Sequence, residues 1–215
     1  PFRGLESFGF EHSQIFFGRT AAIGEMVAAL RRQDADNHPF LLVIGASGSG
    51  KSSVVRSGLL PVLTQPGVVE GIASWRRFEL RPRDREDDLS ALLVGVVAPA
   101  VGLEGSDPAG LLTRLTSLTA TDTRICLVID QLEEVFSDER IDHRERDGFF
   151  TLLAQLTDTR AVWTVATLRS DFYPRCVEHP GLVALKSGNG QYDLQPPSAA
   201  EIGQIIRLPA AAAGL

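Results

Sequence analysis

An eight-residue segment at positions 45–52, G-A-S-G-S-G-K-S, has the spacing G-x-x-x-x-G-K-[ST] of a phosphate-binding loop. Its glycines permit positive φ and let the backbone surround a phosphate without an intervening Cβ. Successive N–H groups then form an anion-binding nest, to which the following helix adds the positive end of its dipole. The sequence has only two lysines, Lys51 and Lys186, so a lysine at this position of the pattern is informative.

The loop pattern assigns a role to each of its residues. We expect the Lys51 ammonium to bridge the β- and γ-phosphates of a nucleotide, and the Ser52 hydroxyl to ligate Mg²⁺. The alternative is a glycine-rich hairpin or flexible loop, which is disfavoured because an apolar segment precedes the motif and a helical segment follows it. The residues predicted to bind the nucleotide here, with Ser53 included by position alone, are Gly45, Ala46, Ser47, Gly48, Ser49, Gly50, Lys51, Ser52 and Ser53.

A second group of candidate residues follows the apolar run I-C-L-V-I. Asp130 would lie at the C-terminal edge of a strand, where ligands bind in open parallel sheets, and would hold Mg²⁺ together with Ser52. Glu133 or Glu134 could polarise the attacking water as a general base. The alternative is a strand followed by the acidic first turn of a helix, which the helix dipole favours.

Two further segments contain candidate residues. Arg169 follows an apolar run at 161–167 and could contact the γ-phosphate; the alternative is an ion pair on the surface with Asp171. The motif F-F-G-R precedes the first predicted helix, and its last three residues could line the adenine side of the pocket. These three residues are Phe17, Gly18 and Arg19. The alternative for them is a hydrophobic anchor followed by a solvated arginine.

These side chains require strands that end beside the loop. Apolar or alternating segments predict strands at 40–44, 74–80, 123–130, 161–168 and 191–194. Helical patterns occur at 20–32, 51–60, 89–97, 109–118, 144–156 and from Ser198 onward. The last helix opens with the capping box S-x-x-E, and we expect Pro209 to break or kink it. The alternation of strands and helices predicts an α/β fold with a parallel sheet and right-handed crossovers.

The composition argues against several classes of protein. A formal net charge of -6, with 44% hydrophobic and 22% charged residues, is typical of a globular protein and gives no basic surface for duplex nucleic acid. No apolar run has the ~18 residues of a membrane span, and the N-terminus has no signal-peptide pattern. We expect the chain, which lacks an initiator methionine, to be a piece of a longer protein.

Several other features are interpreted as structural. Cys126 lies in an apolar run and is expected to be a buried core thiol. Without a C-x-x-C motif or a Cys/His cluster, we expect no structural zinc and a reducing, cytoplasmic compartment. The four histidines are scattered along the sequence and suggest no ligand set. The arginines at 76–85 alternate with acidic residues and are expected to form a solvated face.

Together, four motifs resemble a STAND NTPase, and more narrowly the novel STAND NTPase group of bacterial multidomain proteins. They are F-F-G-R, G-A-S-G-S-G-K-S-S-V-V-R-S-G-L-L-P, L-V-I-D-Q-L-E-E-V-F and T-L-R-S-D-F-Y. The opening P-F-R-G-L-E-S-F and the closing Y-D-L-Q-P-P-S-A-A-E-I are also similar to that group, and D-Q-L-E-E resembles the related NACHT NTPases. Thr20 replaces the acid that usually follows Gly-Arg, and Gln131 lies where many ring ATPases have the catalytic glutamate.

The resemblance implies a three-layer P-loop NTPase fold of the STAND or AAA+ type, with ATP or ADP and Mg²⁺ as cofactors. One NTPase domain would cover 1–195, with an N-terminal segment at 1–19 and an α/β core at 20–195. Residues 196–215 would begin a C-terminal helical lid that is incomplete in this chain, and Pro209 within it would contact the nucleotide base. Arg169 would be the first sensor of the γ-phosphate.

The resemblance also implies an ATP-binding and slowly hydrolysing module that acts as a signalling switch. ADP would hold a closed monomer, and ATP would favour an open, self-associating state. Sensor repeats and an effector domain would lie elsewhere in the full-length chain, and neither nucleic acid nor a membrane would be a direct partner. Two alternatives stay open: a nucleotide-binding scaffold without catalysis, and a small-molecule kinase that uses the same loop.

Overall fold

The computed structural model describes residues 8–105, 107–212 and 214. The first seven residues of the predicted N-terminal segment, and with them the opening P-F-R-G-L-E-S, lie outside the described residues. So do positions 106, 213 and 215.

Five parallel strands form the central sheet in the order β2-β3-β4-β1-β5. They are β1 (Phe40–Gly45), β2 (Ser74–Leu80), β3 (Thr123–Ile129), β4 (Val162–Arg169) and β5 (Gln191–Asp193). Each agrees with its predicted segment to within one residue at either end, so the predicted parallel α/β fold is confirmed. In the register, Leu80 pairs with Ile129 and Gly45 pairs with Arg169. The carboxyl ends of neighbouring strands therefore meet at one edge of the sheet, with β1 next to β4.

The described residues form nine α-helices. They are α1 (Thr20–Ala35), α2 (Lys51–Ser53), α3 (Leu60–Leu63), α4 (Leu89–Val97), α5 (Pro108–Leu118), α6 (Glu134–Ser137), α7 (His143–Asp158), α8 (Pro180–Leu185) and α9 (Ala199–Ala212). A π-helical segment, Val54–Leu59, joins α2 to α3. Short 3₁₀ helices cover Phe10–Ile15, Pro82–Asp84, Ala98–Val101 and Ser170–Glu178. The sequence did not predict α6, α8 or the last 3₁₀ helix, because each is too short or too irregular to show a helical period.

Side chains of alternate residues in β1 enter two separate cores, one on each face of the sheet. Leu41 and Val43 pack in a cluster with residues of α1 and of the helical segments between 54 and 63. Phe40, Leu42 and Ile44 pack on the other face with residues of α4, α5, α7 and α8. This arrangement is the predicted three-layer sandwich of helices, sheet and helices.

The last described helix, α9, begins at the predicted capping box. The Ser198 N–H donates to Glu201 Oε2 at 2.7 Å, and the Glu201 N–H donates to Ser198 Oγ at 3.3 Å. The predicted break at Pro209 is wrong, because α9 continues past that residue to Ala212. A proline ring has a helical φ, and the missing N–H removes only one backbone hydrogen bond here. Among the described residues, no helix is both long and apolar enough to cross a membrane.

Candidate nucleotide-binding site

The glycine-rich loop joins β1 to α2, as the motif requires. β1 ends at Gly45 and α2 begins at Lys51. Gly48 and Gly50 have φ of 73° and 84°, a left-handed conformation that glycine adopts without strain. Gly45 is close-packed, since a Cβ there would lie 2.8 Å from Ser49 Oγ. The sequence therefore identified the conformation of this loop as well as its position.

Lys51 is buried at the inner side of the loop, with 8% of its surface exposed. Its Nζ donates to the carbonyl oxygens of Gly45 and Ala46 at 2.9 and 2.8 Å. Burial is the main cause that lowers the pKa of Lys51, and the carboxylate of Glu133 opposes this shift. The charges of Arg169, Asp130 and Asp171 also act on the ammonium. Three of the predicted catalytic residues, Asp130, Glu133 and Arg169, therefore surround Lys51.

The two predicted magnesium ligands are in direct contact. Ser52 Oγ donates to Asp130 Oδ1 at 2.7 Å, although the two residues are 78 positions apart in the sequence. Asp130 directly follows β3 and is 1% exposed. Its Oδ1 also accepts a hydrogen bond from Thr167 Oγ1, at 2.8 Å. A hydroxyl and a carboxylate are the oxygen donors that Mg²⁺ takes, so the residues present fit this ion.

Sequence analysis missed two arginines that bind the other oxygen of Asp130. Arg56 Nη2 donates to Asp130 Oδ2 at 2.9 Å and also pairs with Glu79. Arg81 Nη2 lies 3.5 Å from the same oxygen. Arg56 is four residues after Ser52, and this i,i+4 spacing on a helix was the signal that could have identified it.

The expectation that the arginines at 76–85 form a solvated face holds for Arg76, Arg77 and Arg83, which are exposed, but not for Arg81 and Arg85. Arg81 contacts Asp130, and the Arg77 guanidinium lies 3.5 Å above the ring of Phe10. Arg85, whose side chain is 11% exposed, pairs with Asp138 at 3.4 Å. Arg81 and Arg85 depart from the expectation because β2 lies beside β3, which brings these two arginines to the acidic segment that follows β3.

The two candidate general bases have different surroundings. Glu133 Oε2 accepts a hydrogen bond from the backbone N–H of Arg169 at 3.2 Å, and its charge acts on Lys51. Glu134 Oε2 accepts from the backbone N–H of Arg83 at 3.1 Å. Burial raises the pKa of Glu134 above its usual value. Of the two, Glu133 is the one whose charge acts on Lys51.

Arg169 ends β4, and its side chain forms the ion pair that the sequence left as the alternative. Its Nη2 donates to Asp171 Oδ2 at 2.7 Å, and the guanidinium side chain is 41% exposed. This hydrogen bond is the main cause that raises the pKa of Arg169. Its backbone nevertheless lies beside Gly45, at the start of the loop.

Phe17, Gly18 and Arg19 lie between the loop and α9. Arg19 is 6% exposed, and its Nη2 lies 3.5 Å from Ser49 O, so the alternative of a solvated arginine is wrong. Gly18 has a φ of 79°, and a Cβ there would lie 2.6 Å from Ile205 Cγ1 in α9. Phe17 is half-buried. The segment therefore connects the phosphate loop with the last helix.

The two remaining predicted residues lie at the edges of the site. Ser53 Oγ accepts a hydrogen bond from the backbone N–H of Phe8 at 3.1 Å, so this hydroxyl faces the N-terminal segment. Nearby, Ser57 Oγ donates to Gly9 O at 2.6 Å. Pro209 is buried within α9. Its predicted contact with a nucleotide base stays a prediction.

The whole chain, residues 1–215, matches the family model described as Novel STAND NTPase 1. The chain belongs to this family. Its predicted membership is thereby confirmed, and the family and the fold make it a nucleotide-binding P-loop module. The comparison with curated proteins gave no match.

Solved structures of similar fold include ORC proteins and a Cdc6 protein. The ORC2 protein of Aeropyrum pernix, in ADPNP and ADP complexes, has a TM-score of 0.62 and 13% identity over 82% of this chain and 47% of that one. Cdc6p of Pyrobaculum aerophilum has a TM-score of 0.56 and 16% identity over 91% of this chain and 49% of that one. Drosophila ORC bound to DNA has a TM-score of 0.57 and 14% identity over 97% of this chain and 52% of that one. This STAND domain spans about half the length of these chains, and such identities show the fold alone. Because one of them is a DNA complex, the expectation that nucleic acid is not a partner stays a prediction.

Proposed function

We propose that this STAND domain binds ATP with Mg²⁺, hydrolyses it slowly and serves as a nucleotide-dependent switch within a larger protein. The observation that supports this most directly is the contact of Ser52 with Asp130 beside Lys51. This contact joins the end of β3 to the start of the helix after the loop, which supports a single site made of the phosphate loop and the acidic segment that begins at Asp130. The Aeropyrum pernix neighbour, which was solved with ADPNP and ADP, is consistent with ATP as the nucleotide.

Binding of the phosphates rests on the loop. The backbone N–H groups of 46–50 and the Lys51 ammonium would hold the β- and γ-phosphates, and phosphate oxygens would replace the carbonyls that Lys51 now contacts. Ser49 Oγ is buried and has no hydrogen-bond partner among the described residues. A buried hydroxyl without a partner is costly, so we assign it a phosphate oxygen as acceptor.

The metal would be held by Ser52 and Asp130. When bound, Mg²⁺ would neutralise charge that develops on the phosphates. Arg56 and Arg81 hold Oδ2 of Asp130 on the side away from Ser52, which leaves Oδ1 directed at the Ser52 hydroxyl. The arginines thereby fix the carboxylate in one orientation.

For hydrolysis, we assign Glu133 as the general base and Glu134 as a supporting acid. Glu133 is the one of the two whose charge acts on Lys51, and it accepts from the N–H of the proposed sensor Arg169, whereas Glu134 accepts from the N–H of Arg83, outside the proposed site. Arg169 would sense the γ-phosphate after its guanidinium leaves Asp171. Turnover without an external arginine can be as slow as on the order of 10⁻⁴ s⁻¹ in P-loop switches, so a slow rate is expected here.

The switch itself would involve α9. Gly18 and Arg19 connect the loop with this helix, so a change in the phosphates at the loop can alter how α9 packs. Residues 196–215 would then begin the lid, with Pro209 near the base, and 1–195 would form the NTPase domain. The ADP state would be closed and the ATP state open and self-associating, under the control of sensor and effector regions elsewhere in the full-length protein.

The alternative of a non-catalytic nucleotide-binding scaffold is favoured by one observation. Both Glu133 and Glu134 accept hydrogen bonds from backbone N–H groups, and Arg169 is paired with Asp171. In this arrangement the two glutamates stabilise the loop after β3, Arg169 stabilises the turn after β4, and none of the three needs to act on a water.

Single-turnover hydrolysis of ATP separates the two functions. We expect Glu133→Gln to lower the rate at least ~100-fold, as the removal of a general base does, and Glu134→Gln to lower it less. ATP affinity should stay close to that of the unsubstituted protein in both variants. If the rate is the same in the unsubstituted protein and in the variant with both substitutions, the scaffold is correct and the ATPase proposal is wrong.

A further inference from the structure

Three side chains, two from α7 and one that directly precedes α8, lie together at the junction of these helices. His143 Nδ1 is 2.9 Å from Asp147 Oδ2, and His179 Nδ1 is 2.7 Å from Asp147 Oδ1. Within the part of the chain that the structure describes, this is the one group of three or more His, Cys, Asp or Glu side chains whose possible ligand atoms all lie within 4.8 Å of one another. The histidines are scattered along the sequence, but the fold brings these two together with Asp147.

The fold positions the three side chains in two ways: helix spacing places His143 and Asp147, and packing places His179. His143 and Asp147 are four residues apart in α7, so their side chains lie on the same face of the helix. His179 directly precedes α8 and is 1% exposed. Its ring lies 5.3 Å from the ring of Phe150 and 5.7 Å from that of Phe136, measured between centroids. Packing against these rings holds the imidazole of His179 in one orientation.

We propose that His143, Asp147 and His179 bind one divalent transition-metal ion, with Zn²⁺ as the reference ion. Two imidazole nitrogens and one carboxylate oxygen are a donor set that Zn²⁺ and Co²⁺ accept, whereas Mg²⁺ prefers oxygen ligands alone. Zn–N and Zn–O bonds of about 2.0–2.2 Å separate neighbouring ligand atoms by roughly 3–3.5 Å. The observed N–O distances of 2.7 and 2.9 Å need only a small widening for an ion to enter.

The charge and exposure of the group suit a site with an open coordination position. The Asp147 carboxylate faces both imidazoles, with Oδ1 toward His179 and Oδ2 toward His143. The side chains of His143 and Asp147 are 62% and 42% exposed, which leaves room for water as a fourth ligand.

The position of the cluster indicates a structural role for the ion. None of its residues belongs to the proposed nucleotide site. His179 ends the segment that begins with the 3₁₀ helix Ser170–Glu178, directly after Arg169. An ion would link this segment to α7 and thereby stabilise the stretch of chain that follows the proposed sensor.

The test is metal titration of the untagged protein after removal of bound metal with a chelator. Excess Mg²⁺ is present throughout, so that the titrated metal does not bind at Ser52 and Asp130. We expect one equivalent of Co²⁺ to give the visible absorption of a nitrogen-liganded ion, and Zn²⁺ to displace it. His143→Ala and Asp147→Asn should each weaken Zn²⁺ binding at least ~10-fold, measured by competition with a chromophoric chelator. Zn²⁺ should raise the Tm of the unsubstituted protein but not that of His143→Ala.

The matched control is His38→Ala. His38 Nδ1 is also 2.8 Å from an aspartate oxygen, that of Asp158, and is exposed, but it belongs to no such three-residue group in the described chain. This control should bind Zn²⁺ like the unsubstituted protein. The proposal is overturned if the unsubstituted protein does not bind Co²⁺ or Zn²⁺, or if His143→Ala and Asp147→Asn bind as tightly as His38→Ala. Failure here leaves the nucleotide site unaffected, because ATP binding uses other residues.

Discussion

The carboxylate of Asp130 is buried, and each of its oxygens has its own partners. Oδ1 accepts from Ser52 and Thr167, and Oδ2 from Arg56 and, at a longer distance, Arg81. A buried charge is tolerated only when such partners satisfy it. The proposed binding of Mg²⁺ by Asp130 therefore depends on residues that do not themselves contact the ion. Arg56, the closest cation to Asp130, is the most important of them.

Arg56→Met tests this dependence. We expect the free energy of unfolding to fall by about 3 kcal/mol, since the substitution leaves a buried carboxylate without its closest cation. Addition of Asp130→Asn should recover part of the loss, because it removes the unpaired charge. Arg140→Met is the control: it removes an exposed arginine that also pairs with an aspartate, Asp138, and should change stability little. Urea denaturation measures all four proteins, and equal effects of the two arginine substitutions would contradict the interpretation.

The raised pKa of Glu134 gives a prediction with a defined sign. Burial makes the folded protein hold the Glu134 proton to a higher pH than the unfolded chain does. Stability is therefore lost as the pH rises from the ordinary pKa of a glutamate through the raised one. Glu134→Gln should be more stable than the unsubstituted protein near pH 7, and the difference should disappear below about pH 4. Greater stability of the unsubstituted protein at neutral pH would show that the Arg83 contacts outweigh burial.

At the scale of elements, the transition from β1 through the loop to α2 depends on glycines with positive φ. At Gly50 a Cβ would meet nothing within 4 Å, so backbone strain alone opposes a substitution. Gly50→Ala should lower stability by about 1–2 kcal/mol and weaken nucleotide binding. Gly95 in α4 is a matched control, because a Cβ there also meets nothing and the backbone is helical. Gly95→Ala should raise stability by up to about 1 kcal/mol and leave binding unchanged.

Thermal denaturation and nucleotide titration of the two alanine variants check this contrast. If Gly50→Ala is as stable as the unsubstituted protein and binds nucleotide equally well, the loop does not need the left-handed conformation.

The five strands and the longer helices were predictable because each has a signal within a few residues. Apolar runs placed the strands, S-x-x-E placed the start of α9, and the loop motif placed Gly45 to Ser52. The contacts of Arg56 and Arg81 with Asp130 were not predictable in this way, since they depend on β2 lying next to β3. The cluster of His143 with His179 likewise arises only when α8 packs on α7. Pro209 was misjudged because local propensity was given more weight than the helix that surrounds it.

At the scale of the whole molecule, the two faces of the sheet carry different functions in this account. The face with α1 and the helical segments 51–63 adjoins the phosphate loop and, through Gly18, α9. The opposite face, with α7 and α8, carries the proposed metal cluster. Nucleotide binding and metal binding should therefore stabilise the molecule independently of each other.

The measurement that tests the central claim most directly compares the only two lysines of the chain. ATP affinity in the presence of Mg²⁺ is measured for the unsubstituted protein, Lys51→Ala and Lys186→Ala. Lys186 contacts the Tyr173 hydroxyl at 3.1 Å and lies outside the proposed site, so its removal makes the same change in net charge elsewhere. We predict that Lys51→Ala binds ATP at least tenfold more weakly, which is a loss of about 1.4 kcal/mol or more, and that Lys186→Ala binds normally. Equal ATP affinity of Lys51→Ala and Lys186→Ala would contradict the account.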